Sequence, residues 1–298
     1  MTRNRNPLLT GFGIALPLPS RLGEERDTWV TAQLDWSSTA TIQPAEREEL
    51  VVDAETRTFD LIAQHRFGNG IALRVTIPWI YHGAGVLDSF IERWHDVFGL
   101  PQGSRRRLPH DQVLIGYARD EEILFLRRDG VDGLGDISLD AGATLYESAR
   151  AALGAWLTVK LPTADASDLL GSGAVDAGVT VTADLALSDT WSLYGQLSYT
   201  YLGEGAFLPE LQRRDIWRGL AGVAWQIARP VTVKAQIDAY TAAFERTELE
   251  FLGESALVTV GVDWEPSDRW RASFAVGEDL DVKASPDVVF HFALRRAF

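Results

Sequence analysis

The chain has 298 residues, a formal net charge of -14, an apolar fraction of 46% and a mean hydropathy of -0.05. The acidic balance sets aside nucleic-acid binding, and the absence of cysteine sets aside disulfides and thiolate metal sites. No run of about 18 apolar residues exists, so no helical membrane span is predicted.

Residues 1–26 come first and show no alternation. They carry Leu8, Leu9, Phe12, Ile14, Leu16 and Leu18 among glycines, with Pro17 and Pro19 near the end. From about residue 27 the text changes. Runs of about ten residues place an apolar side chain at every second position, the period of a strand with one apolar face. The first run, 28–38, has Val30, Ala32, Leu34 and Trp36 on one face. The second, 56–67, has Phe59, Leu61 and Ala63. After a Gly68-Asn69-Gly70 turn, 71–82 has Ile71, Leu73, Val75, Ile77, Trp79 and Tyr81.

A long excursion, 83–133, interrupts the ladder. It predicts a helix over 88–98: Ser89 and Glu92 fit a capping box, Phe90, Ile91, Trp94, Val97 and Phe98 sit at helical spacing, and Gly99 ends it. Residues 112–127 read either as a hairpin arm or as a strand extension. The ladder then resumes at 134–147, 151–162, 174–187, 191–202, 214–227, 231–243, 252–264, 269–278 and 287–298. Short connections follow residues 67, 147, 187, 227 and 264. Long ones follow 38, 82, 162, 202, 243 and 278. Twelve strands with connections sorted by parity predict an all-β, twelve-stranded antiparallel transmembrane barrel of outer-membrane type, with both termini on the short-turn, periplasmic side.

Aromatic side chains fall in two belts. Trp191, Trp225, Trp264 and Trp270 stand beside short turns, whereas Tyr201, Trp217, Tyr199, Trp79 and Tyr81 stand toward the long loops. Amphipathic rings collect in this way at the two membrane–water interfaces. No leader is visible in MTRNRNPLLTG. Because the strands demand export, the sequence is read as a mature chain whose leader was removed.

The stretches GLGDISLDAGATLY, LTVKLPTADASDLLGSGAVDAGV and WSLYGQLSYTYLG, within 133–203, resemble Gram-negative outer-membrane barrels assigned to phenol degradation (MetA-type). The whole chain is similar to a related outer-membrane family known as a domain of unknown function, through Arg5-Asn6-Pro7-Leu8 and the ending EDLDVKASPDVVFHFALRRAF. The resemblance implies an outer-membrane barrel and a channel for small molecules. Terminal Phe298, preceded at alternate positions by Arg296, Leu294, Phe292 and Phe290, resembles the signal read by the barrel-assembly machinery. Arg296 departs from the usual aromatic.

Lumen parity gathers polar groups: Arg74, Thr76, Lys160, Asp184, Gln196, Arg218, Lys234, Gln236, Asp238, Asp263, Arg271, Glu278 and Arg295. They read as a satisfied network filling a narrow barrel or as a selectivity lining. Residues 1–26 read as a periplasmic tail or as a lumen plug built on Leu8, Phe12, Ile14 and Leu16. The loop helix, with Phe90, Trp94 and Phe98 beside Arg105 and Arg106, reads as a lid over the mouth or as an interfacial segment. In the second case its arginines meet lipopolysaccharide phosphates. The five histidines are scattered without metal-ligand spacing, and no cofactor is expected. The expected function is passive uptake of small, apolar or aromatic molecules. A non-conducting scaffold that engages lipopolysaccharide and a lipid hydrolase stand as alternatives.

Overall fold

Strands that bury one side chain and expose the next must satisfy their backbone by pairing sideways, and twelve of them here pair until the sheet closes. The computed structural model describes residues 1–23, 27–68, 70–99, 101–280 and 284–298; Asn69 of the expected turn, and residues 24–26 and 281–283, lie outside these. The strands are β1 (Thr28–Pro44), β2 (Glu48–Arg66), β3 (Ile71–Gly83), β4 (Leu114–Arg119), β5 (Glu122–Arg127), β6 (Val131–Leu134), β7 (Ser138–Glu147), β8 (Ala151–Lys160), β9 (Asp176–Ala186), β10 (Trp191–Tyr201), β11 (Asp215–Ala228), β12 (Val231–Tyr240), β13 (Ser255–Ser267), β14 (Trp270–Asp279) and β15 (Val288–Ala297). All but β4, β5 and β6 form the ring. It closes where β1 pairs β15 from Trp29↔Ala297 to Ser38↔Val288. Closure leaves no unpaired edge in the wall, which a lipid environment requires. No described helix is long and apolar enough to cross a membrane.

The outward face is apolar from rim to rim: Leu73, Leu157, Val179, Leu197, Ile237 and Val260 are all exposed. Trp191, Trp225, Trp264 and Trp270 ring the short-turn end, with Trp191 stacked on Trp225 at 5.3 Å. Tyr201 and Trp217 are exposed at the opposite end. Phe298 N–H donates to the Thr28 carbonyl at 2.8 Å, so the last residue joins the first strand at the short-turn rim.

Two departures from the sequence reading, and one choice it left open, concern the long-loop end. The connection after residue 38 is not an open loop. β1 and β2 stay paired to Pro44↔Glu49, because Leu50, Val52 and Ala54 continue the inward alternation and are buried. Residues 112–127 form a hairpin arm, in which β4 pairs with the projecting part of β2 and β5 lies at the sheet edge. The strand expected at 134 starts at Ser138. β6 pairs the upper half of β3 and β7 the lower half, and between them Asp136 turns inward to Lys160.

Inside this end the arm and the loops after β8, β10 and β12 converge on an apolar core that includes Ile115, Tyr117, Leu169, Leu202, Leu211, Phe244, Phe251 and Leu252. Leu8, Leu9, Phe12 and Ile14 belong to the same core.

Candidate functional site: the lumen and the segment inside it

The described part of residues 1–23 runs within the barrel. Gly23 lies at the short-turn end, where Arg66 donates to its carbonyl. The chain then climbs past β8, β9 and β10. The Trp156 indole donates to the Pro19 carbonyl at 2.9 Å, Ser20 bonds Asp184, and Gln196 bonds both Leu18 N–H (2.9 Å) and the Leu16 carbonyl (3.2 Å). A turn at 6–12, with Leu9 and Thr10 N–H donating to the Asn6 carbonyl, sits under the apolar core. The chain then descends along β1, β2, β13 and β12, where Asn4 bonds Ser255 at 2.9 Å and Gln236 donates to the Thr2 carbonyl at 3.2 Å.

Three buried ionic clusters hold it. Arg5 donates from Nε to Asp35 (2.7 Å) and from Nη2 to Asp60 (2.6 Å), and Asp35 also meets His291 Nδ1 at 2.7 Å. Lys160 lies 2.8 Å from Asp136 and 3.0 Å from Asp176, and donates to the Gly11 carbonyl. Arg218 grips Asp238 with two bonds of 2.8 and 2.7 Å and donates to the Ala15 carbonyl at 2.7 Å. Charges taken this far from water persist only with such partners, and paired donors on one carboxylate add geometric precision. Glycine is required where the segment touches the loop after β8 and the wall strand β9. A Cβ on Gly11 would stand 2.6 Å from the Gly171 backbone, and one on Gly13 would stand 2.7 Å from Asp176 Cβ.

The expected lumen residues therefore divide. Lys160, Asp184, Gln196, Arg218 and Asp238 bind the segment or a partner that does. Arg74, Lys234, Arg271 and Arg295 line a chamber of about 850 Å³, bordered by the short turns at Arg150, Asp189 and Asp268. In it Lys234 pairs with Asp263, Arg271 pairs with Glu265, and the Arg295 guanidinium stacks on Trp29 at 4.4 Å. A second, smaller cavity of about 50 Å³ lies deeper, between residues 10–16 and the wall. Sequence reasoning named Arg5 only within the family-like Arg5-Asn6-Pro7-Leu8 segment and did not single out Asp35, Asp60 or Trp156. The signal was present in Asp35 and Asp60, which take lumen parity on adjacent strands and are both held by Arg5 of the segment.

Over residues 12–298 the sequence matches the family described as "Protein of unknown function (DUF3187)". The chain belongs to this family. No curated protein matches it. Among solved structures it is similar to an outer membrane channel from Pseudomonas putida F1, at TM-score 0.63 and 12% identity, covering 95% of this chain and 99% of that one. It is also similar to the NanC porin, at TM-score 0.50 and 6% identity, covering 90% and 98%. At these identities the likeness is one of fold, and this family member shares the outer-membrane barrel architecture.

The loop helix α1 (Asp88–Phe98) occupies its expected span, and Gly99 ends it in the left-handed region at φ 67°. It does not cover the mouth. Phe90 packs on outward Phe290 (6.1 Å between ring centroids), and the Trp94 indole donates to Glu278 at 3.1 Å. Glu278 was assigned lumen parity. It shares the outward face of β14 with Trp270 and Phe274, and α1 shields it. Nor does Ser89 cap the helix: Leu87 is the N-cap, and Glu55 of β2 accepts the Val86 and Leu87 N–H groups at 2.6 and 2.7 Å. Arg105 is not available to lipid. It is buried, bridging Asp88 and Asp287 and bonding Ser38 at 2.9 Å. Burial pushes the Asp287 carboxyl up, against the pull of Arg105. Arg106 is exposed and pairs with Asp96 at 2.7 Å. His110 bonds Glu92 at 3.0 Å, but Ser89 Oγ stands 3.5 Å from its other nitrogen, too far for an activated nucleophile.

Proposed function

We propose that this protein is a passive channel of the bacterial outer membrane for small polar molecules, in which residues 1–23 act as a plug. The observation that carries the reading is the charged chamber of about 850 Å³ that ends at a segment tied to the wall by hydrogen bonds and ion pairs. Such contacts can be exchanged for water one at a time, while the apolar turn of the segment, Leu8, Leu9, Phe12 and Ile14, anchors it at the long-loop end. The finer expectation of an apolar or aromatic solute rests on the resemblance to phenol-degradation barrels. The mixed charges of the chamber favour a polar one. In this reading the short turns and the carboxyl end face the periplasm, the amino end lies inside the lumen rather than on the periplasmic side expected for both termini, and the Phe298 strand is what the assembly machinery reads. α1 rests Phe90, Trp94 and Phe98 in the outer leaflet among lipid and lipopolysaccharide.

The test is planar-bilayer conductance of the full chain and of a variant lacking residues 1–23, with heat-modifiable gel mobility confirming a folded barrel. We expect small, steady conductance from the first and a several-fold larger one from the second. If neither folded protein conducts, the channel reading is lost. The non-conducting scaffold then replaces it, a reading favoured by the apolar core that closes the long-loop end.

A further inference from the structure

The lumen's buried cations nearly all meet a carboxylate: Arg5 meets Asp35 and Asp60, Lys160 meets Asp136 and Asp176, and Arg218 meets Asp238. Arg3 does not. It is 6% exposed, and its one bond is from Nη2 to the Thr10 carbonyl at 3.2 Å. Its Nε and Nη1 have no hydrogen-bond partner, and no ion pair to it is found among the described residues. Arg3 lines the deeper cavity of about 50 Å³, beside residues 10–16.

The acids that line the same cavity are already engaged. Asp60 holds Arg5, Asp136 holds Lys160, and Asp140 faces Arg74 at 3.8 Å. A guanidinium cannot shed its proton to relieve the cost of burial, and a buried charge without a partner is among the costliest features a fold can keep. We propose that the cavity binds one small monovalent anion on Arg3, and that this makes the path through the barrel anion-selective. A cavity of this size accommodates a halide, a nitrate or the carboxylate of a one-carbon acid, displacing the water that would otherwise fill it. The approach is from the chamber. Leu16 borders both cavities, and Arg74 of the chamber, whose Nε makes no hydrogen bond, faces Asp140 of the deeper cavity at 3.8 Å. An anion entering from the short-turn side therefore meets Arg74 first and Arg3 next. The selectivity half of the proposal rests on the channel reading above; the binding half does not.

The experiment has two arms, each on the full chain in wild-type, Arg3→Gln and Arg3→Lys forms. The first is the reversal potential across a tenfold gradient of potassium chloride, repeated with potassium formate to separate inorganic anions from carboxylates. Wild type and Arg3→Lys should prefer the anion, and Arg3→Gln should lose about tenfold of that preference. The second is crystals soaked in bromide, in which wild type should show an anomalous peak within hydrogen-bond distance of the Arg3 guanidinium and Arg3→Gln should not. Conductance without anion preference, or one unchanged in Arg3→Gln, overturns selectivity by Arg3. Absence of the bromide peak overturns the binding site. A protein that binds bromide at Arg3 but never conducts keeps the site and sinks the channel.

Discussion

Two stretches of this chain refuse the alternation of the barrel, residues 1–23 inside the lumen and the helical excursion 84–111 between β3 and β4, and the wall separates Arg5 of the first from α1 of the second. Both are rich in apolar residues, and both are pinned by a buried arginine astride two aspartates. Arg5 bridges Asp35 and Asp60 inside the lumen, and Arg105 bridges Asp88 and Asp287 outside the rim. The difference lies in what each pin fastens. Both aspartates of Arg5 belong to wall strands, so the clamp ties a mobile-sized segment to the barrel itself. One aspartate of Arg105 sits on α1, so that clamp folds the loop onto its own helix as well as onto the rim. Aromatic spacing separates them too: Phe90, Trp94 and Phe98 stack along one helix face that rests on outward Phe290. The amino-terminal segment has no such stripe and inserts its apolar turn into an enclosed core.

Breaking the inner clamp should have the largest effect. Arg5→Met leaves Asp60 buried without its ion-pair partner and Asp35 with His291 alone, a loss of about 3–5 kcal/mol for such a pair. The expected outcome is release of the segment, read as conductance close to that of the deletion lacking residues 1–23 and as a lower melting temperature. Adding Asp35→Asn and Asp60→Asn should restore much of the melting temperature, because the stranded charges are then gone. A melting temperature unchanged in Arg5→Met would show that the clamp contributes nothing to holding the segment.

Breaking the outer clamp should cost less and leave transport alone. In Arg105→Met, Asp88 keeps the Asp111 N–H at 2.8 Å, so part of its hydrogen bonding survives. Loss of the remaining charge-assisted bonds is worth about 2 kcal/mol. The measurement is limited proteolysis across residues 84–133, expected to quicken while conductance stays at the wild-type level. A conductance change here would mean that the loop helix takes part in gating, and the contrast between the two regions would fail.

The wall was legible because its rule is local: side-chain direction in a strand depends only on parity, and lipid on one side enforces it. Twelve strands, their order and both aromatic belts follow from that rule. The rule also explains the errors. Glu278 obeys outward parity, but its charge argued for the lumen, and only the arrival of α1 from a distant part of the chain makes an outward carboxylate tolerable. Ser89 had the right spacing for a cap, yet the helix begins where Glu55, more than thirty residues earlier, offers its carboxylate. Apolar content correctly singled out Leu8, Phe12 and Ile14 for packing. Their address in the lumen was set by Arg5, Lys160 and Arg218 finding acids on strands far apart in sequence, information that no local window holds.

The smallest expected effect also bears on the outer region alone. His110 hydrogen-bonds Glu92 on the exposed side of α1, and that bond raises the imidazole pKa above its usual value. A raised folded-state pKa means the charged pair is fully present below the ordinary histidine pKa and is lost as pH climbs through the folded value. Titrating His110 by its ring proton shifts should show that elevation, and Glu92→Gln should remove it. Because the pair is solvent-exposed and remote from the lumen, conductance should stay flat across the same pH window. A conductance step that follows the His110 titration would instead connect the outer face to the pore.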